Sequence, residues 1–283
     1  MKTYILLFLV SIVCASKAQT FSLNDPEKKI VKDDKYIDGV YEGTLDENGR
    51  KSGYGIARSN QGYTYEGNWE KDVRNGLGRA IFANGDRYEG NWKDNKREGN
   101  GVYFFNTGDK YEGAFTNNTI QGKGVFYYQS GDKLEGYFED GKIVGTGTAY
   151  YANGDKYEGA FVNGQKSGDG TYYYSDGRVY KGPFEMNTKT GLGKLIFRDG
   201  SNYEGNFLNN KRTGLGKYTY TNGDYYEGYF LDGKFEGKGT YCFTNGDKYT
   251  GNWKSNSKDG EGVYYYSNGE TLSKNYSNGE EIK

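Results

Sequence analysis

The chain contains no histidine, which excludes a histidine-dependent nucleophile triad and a histidine-ligated zinc site. It has two cysteines, Cys14 and Cys242, too few for a thiolate metal cluster or a disulfide framework. Aliphatic residues are also scarce. Hydrophobic residues make up 34% of the chain and aromatic residues 17%, so half of the apolar material is rings and the core must be built from them. A mean hydropathy of -0.96 argues against a deep aliphatic interior, yet 31 Tyr and 15 Phe are far too many for a disordered chain. The one long apolar run, Tyr4 to Val13, is too short to cross a bilayer as a helix, which takes about 20 apolar residues.

That run follows Met1-Lys2 and precedes Ser16-Lys17-Ala18, the pattern of a secretory signal peptide over residues 1–18 with cleavage before Gln19. Lipid modification of Cys14 is the competing reading, and Ser11 and Val13 match poorly the residues that usually precede such a cysteine. The expected location is therefore exported: periplasm, outer envelope or exterior. Loss of Lys2 and Lys17 leaves 35 basic residues against 38 acidic ones, with Cys242 as the remaining thiol. A slightly acidic chain has no overall attraction for nucleic acid or anionic lipid, and no nucleic-acid partner is expected.

The rest of the chain is a repeat. Tyr-Glu-Gly or a near variant begins at Tyr41, Tyr65, Tyr88, Tyr111, Leu134, Tyr157, Tyr180, Tyr203, Tyr226 and Tyr249, and every step after the first is 23 residues. Four residues after each phrase from the second onward stands a ring: Trp69, Trp92, Phe115, Phe138, Phe161, Phe184, Phe207, Phe230, Trp253 and, past the degenerate phrase at Leu272, Tyr276. One period, Tyr88 to Asp109, alternates two ring-rich runs with two turn signals, the mark of an antiparallel hairpin. No stretch keeps a helical period, and 23 residues are too few for a strand–helix–strand unit. Lys93 to Glu98 reads as a polar loop, and the paired glycines of Gly-x-Gly read as bare backbone over which a neighbouring ring can lie. Ten hairpins give about 20 strands and a sheet roughly 95 Å long at about 4.8 Å per strand.

These columns, Tyr-Glu-Gly-x-Trp/Phe, a polar loop, Gly-x-Gly, an aromatic run and Asn-Gly-Asp, resemble the MORN repeat (membrane occupation and recognition nexus) over residues 41–276. The resemblance implies an all-β fold, an elongated single-layer twisted antiparallel meander of about ten 23-residue β-hairpins with an aromatic-lined groove. It also implies a scaffold or adaptor role. Residues 19–40 are then a leader or cap and residues 277–283 a polar C-terminal tail.

No residue pattern points to catalysis. Gly76-Leu-Gly78 lacks the third glycine and following helix of a dinucleotide site, and its tenfold recurrence is structural. The recurring Glu of the phrase, replaced by Lys181 and Thr250 in two repeats, reads as a solvated or hydrogen-bonding column. The Asn-Gly-Asp turns lack the ligand spacing of a calcium loop, and neither metal nor cofactor is expected. Cys242 reads as a small packing residue on a strand. The feature open to function is the rings. Tyr127-Tyr128, Tyr172-Tyr173-Tyr174 and Tyr264-Tyr265-Tyr266 must place rings on both faces of a thin sheet, and these tyrosines are the candidate binding surface.

The expectation is a non-enzymatic scaffold that binds a protein partner, itself or a membrane-associated assembly. A secreted glycan or cell-wall binding module is the alternative, and direct lipid binding ranks behind both because of the negative charge. Asn117 and Asn275 stand in glycosylation triplets.

Overall fold

The computed structural model describes residues 29–32 and 38–282. The predicted signal peptide, Cys14 and most of the 19–40 leader lie outside the described residues. Among the described residues there is no helix, and 24 strands form one sheet in which each strand pairs antiparallel with its neighbours in chain order, except that Thr188–Lys189 and Gly191–Ile196 both pair with Val179–Glu185. A leader strand, Lys29–Lys32, pairs with Gly39–Leu45, and Glu280–Ile282 closes a final hairpin on Thr271–Ser277.

The regular repeat is a hairpin of a seven- and a nine-residue strand, as in Arg87–Lys93 and Lys96–Phe104, and in one repeat the second strand is split into Thr188–Lys189 and Gly191–Ile196. The expected loop from Lys93 to Glu98 is in fact a two-residue turn. Asp94 and Asn95 have φ of 48° and 66°, the left-handed pair that matches strand twist and that Asn, Asp and Gly tolerate best. The second strand therefore starts at Lys96, three residues earlier than the glycine pair suggests. The connection to the next repeat, Asn106 to Asp109, is closed by Phe105 N–H to Asp109 O at 3.0 Å, with Gly108 at φ 95°.

The two glycines of Gly-x-Gly do different work, a finer division than the sequence shows. Gly90 pairs with Gly101 and Trp92 with Arg97, so one residue on the first strand faces three on the second. Gly99 sits in that bulge at φ 68°. Gly101 is the one that lies under a ring: a Cβ there would stand 2.4 Å from the Tyr88 hydroxyl. Tyr88 folds over Gly90 and Gly101, and its hydroxyl donates to the Asn91 carbonyl at 2.9 Å. Tyr65, Tyr157, Tyr203 and Tyr226 repeat the same hydrogen bond three residues on.

The tyrosine column is fully buried, and it interlocks with the Trp/Phe column. Tyr88 meets Trp92 at 5.3 Å and 84° within its repeat, and Phe115 of the next at 5.1 Å and 78°. Such edge-to-face pairs add about 0.5–1.5 kcal/mol each beyond burial. One ring thus ties two repeats together. Where Leu134 replaces the tyrosine, Ile143 takes over: its Cδ1 would stand 2.7 Å from a Cβ on Gly136 and 2.5 Å from one on Gly147, and the residue is 1% exposed.

Candidate binding face

Alternation along the strands gives the sheet a ring face and a reverse face. On the ring face, the residue opposite each Trp or Phe is usually a cation. Trp69 pairs with Arg74, Trp92 with Arg97, Phe161 with Lys166, Phe184 with Lys189, Phe207 with Arg212 and Trp253 with Lys258. Ile120, Ile143 and Phe235 interrupt this row.

The cation side chains extend across the rings. Arg74 lies 4.6 Å from the Trp92 ring centre, Arg97 4.8 Å from Tyr103, Lys166 4.9 Å from Tyr172 and Lys258 4.5 Å from Tyr249. The arginines also brace the fold, donating to the carbonyls of Asn95, Asn118 and Gly233 in the following hairpin turn. The lysines end instead on phenols. Lys166 donates to the Tyr151 hydroxyl at 3.1 Å, Lys189 to that of Tyr174 and Lys258 to that of Tyr264. Burial pushes Lys189 down to about 8, helped by the positive charges of Arg178 and Lys166, and burial also lowers Lys166 and Lys258. A shallow cavity of about 650 Å³ opens on this face around Lys51, Tyr63, Trp69 and Arg74.

Turn aspartates line the border of the ring face. Asp86 accepts from the Tyr103 hydroxyl at 2.6 Å and the Asn106 N–H at 2.8 Å, linking one turn to the next. Burial works to raise its pKa, and these hydrogen bonds, with Asn84 and the Arg97 charge, hold it below the ordinary carboxylate value. Asp155 and Asp224 repeat the arrangement with Tyr172 and Tyr241. The oxygens of the Asn-Gly-Asp turns are thus committed to turn bonding, and among the described residues no three acidic or thiol groups gather as metal ligands.

The candidate tyrosines divide between the two faces. Tyr128, Tyr172, Tyr174, Tyr264 and Tyr266 are on the ring face. Tyr172 and Tyr174 meet at 4.6 Å with their rings tilted by 52°, beside Lys166 and Lys189, and Tyr264 and Tyr266 lie nearly parallel at 6.1 Å. Tyr127, Tyr173 and Tyr265 are on the reverse face, each under a lysine: Lys110 at 4.1 Å, Lys156 at 4.5 Å and Lys248 at 5.2 Å. No single ligand surface holds both sets. The phrase glutamates are also on the reverse face, several in exposed, solvent-screened ion pairs such as Lys156–Glu158 at 2.8 Å. Cys242 is there too, half-buried opposite Tyr225. Between Gly191 and Leu231 this face carries open apolar side chains, with Leu192 73% and Tyr229 50% exposed.

The cation row is what sequence reasoning missed. Its signal was present, a Lys or Arg five residues after most members of the Trp/Phe column.

The MORN repeat family model matches nine successive segments from residue 65 to residue 271, at the period that the hairpins show. The chain belongs to the MORN repeat family. The hairpin formed by Gly39–Leu45 and Lys51–Ser59 precedes the matched segments and has the same architecture. No curated protein sequence is significantly similar to this MORN chain. Among solved structures it is similar to the TCP10 domain of Danio rerio CPAP, with 16% identity over 72% of this chain and 96% of that one, at a TM-score of 0.42. It is also similar to the TCP domain of Drosophila melanogaster SAS-4, with 18% identity over 54% of this chain and 83% of that one, at a TM-score of 0.37. Neither likeness bears on what this MORN array binds.

Proposed function

We propose that this MORN array is a non-enzymatic scaffold of the cell envelope or exterior that holds a protein partner on its ring face. The observation that carries the reading is the row of half-buried cations laid over rings, present in six of the nine hairpins from Thr64 to Tyr265. Cations already partly stripped of water, next to phenols and ring edges, lose little more on contact and offer directional donors to a partner. Tightly packed repeats supply a rigid surface on which those donors are fixed in advance. This reading gives the repeated carboxylates no catalytic part: turn aspartates such as Asp86 are bonded within and between turns, and phrase glutamates such as Glu158 stand in exposed ion pairs.

The test is crosslinking pull-down with residues 19–283 from the native envelope, followed by mapping of the crosslinked positions. A specific protein crosslinked to ring-face residues supports the scaffold. An inert monomer with no specific capture overturns it. Co-sedimentation with polysaccharide, lost when Tyr173 is replaced by Ala, would place function in the alternative glycan-binding class and on the other face.

A further inference from the structure

Resting on that reading of the ring face, we propose that its occupant is an acidic peptide segment in the polyproline-II conformation, with Asp or Glu at every third residue. The run Lys166, Lys189 and Arg212 supplies one cation per repeat, each opposite the Phe of its own hairpin. Successive members are two strands apart, about 9.6 Å at a spacing of about 4.8 Å per strand. A polyproline-II chain turns once every three residues and rises about 3.1 Å per residue, so residues i, i+3 and i+6 share one side about 9.3 Å apart. Three acidic side chains so spaced span about 19 Å and meet the three cations in register. A β-extended chain sends i and i+3 to opposite sides and loses every second contact.

Charge agrees with spacing. Among the described residues no carboxylate stands within ion-pair distance of Lys166, Lys189 or Arg212. Asp155 acts on Lys166 only from a longer distance, while Arg178 and Lys166 both crowd Lys189 with like charge. Hydrogen-bond polarity agrees as well. A polyproline-II chain has no internal hydrogen bonds and presents its carbonyls to a neighbour. The Tyr151 and Tyr174 hydroxyls accept from Lys166 and Lys189, and so keep their own protons to donate. Phe235 ends the run on one side and Ile143 on the other, which sets the epitope at about seven residues.

The probe is a fluorescein-labelled peptide of repeated Glu-Ala-Pro, compared by anisotropy on residues 19–283 with an isomer whose glutamates are clustered at one end. Its Gln counterpart, an acidic helical peptide and oligo(dT) complete the set. The every-third peptide is expected to bind at least about 10-fold tighter than its clustered isomer and to weaken with salt. Lys166→Gln and Lys189→Gln should each cost about fivefold, the order expected for one partly screened charge contact. The reverse-face control Lys194→Gln should bind as the parent does, with thermal melting showing all three folded. Equal binding of the two isomers, no binding, or preference for the helix or oligo(dT) overturns the inference. If a protein is captured on the ring face and the every-third peptide fails to compete with it, this inference falls while the scaffold reading stands. Capture on the reverse face alone sinks the scaffold reading itself.

Discussion

Replacing Gly101 by Ala tests why the repeat needs its tyrosine and its glycine together. The added Cβ would lie 2.4 Å from the Tyr88 hydroxyl oxygen and 2.5 Å from ring carbon Cε2, closer than any real contact, so the Tyr88 ring must leave its seat. Expulsion strains the two edge-to-face contacts with Trp92 and Phe115 and the hydrogen bond to Asn91. Overpacking costs about 1–3 kcal/mol, and the hydrogen bond and the two ring pairs add about 1 kcal/mol each, so about 4–6 kcal/mol is expected. The bulge control Gly99→Ala makes only an ordinary van der Waals contact, with its nearest side-chain atom at 3.6 Å, and is penalised only for its φ of 68°, by about 1–2 kcal/mol. The assay is a double-mutant cycle with Tyr88→Ala, read by urea unfolding and by hydrogen exchange of the two flanking hairpins. Once the ring is gone the Gly101→Ala penalty should vanish, a coupling equal to that whole penalty. Additive costs would refute the claim that the ring is what demands a bare glycine.

Three further outcomes follow from the same contacts. Burial raises the pKa of Tyr111 and Tyr203 to about 12 against 10.0 when unfolded, so their stabilisation is complete below pH 10 and lost as pH rises toward 12; absorbance at 295 nm should report the buried phenols ionising together with loss of sheet circular dichroism. Burial lowers Lys189 to about 8 against 10.5, so the unfolded chain holds its proton more tightly and stability should rise as pH climbs from 8 to 10. Lys189→Met should flatten that slope and, after discounting for partial exposure, stabilise by about 1 kcal/mol at pH 7 in thermal melts. Ile143→Ala uncovers Gly136 and Gly147 and should cost about 2–5 kcal/mol, with faster hydrogen exchange confined to the hairpin Lys133–Tyr150 and its neighbours.

The 23-residue period carries the hairpin, its direction and its stacking, because strand alternation and turn chemistry are local properties that each repeat spells out again. What was hidden depends on contacts between distant positions. Nothing local separates Gly99 from Gly101; only the bulge that pairs Trp92 with Arg97 makes one a bulge residue and the other a seat for Tyr88. Ile143 looks like a broken repeat until Leu134 leaves a glycine pair uncovered. Arg97 and Lys166 sit in what reads as a polar loop, and become a row on the ring face once the turn shrinks to two residues. Tyr173 and Tyr174 look equivalent in the sequence, while pairing of Tyr172 with Tyr157 and of Tyr173 with Lys156 sends them to opposite faces.

That last pair offers the most direct test of the ring face as the docking surface. A photo-crosslinking amino acid placed at Tyr174 or, separately, at Tyr173 probes the two faces one residue apart in the native envelope. A partner captured from position 174 and not from 173 is the predicted result. Capture from 173 alone would contradict it.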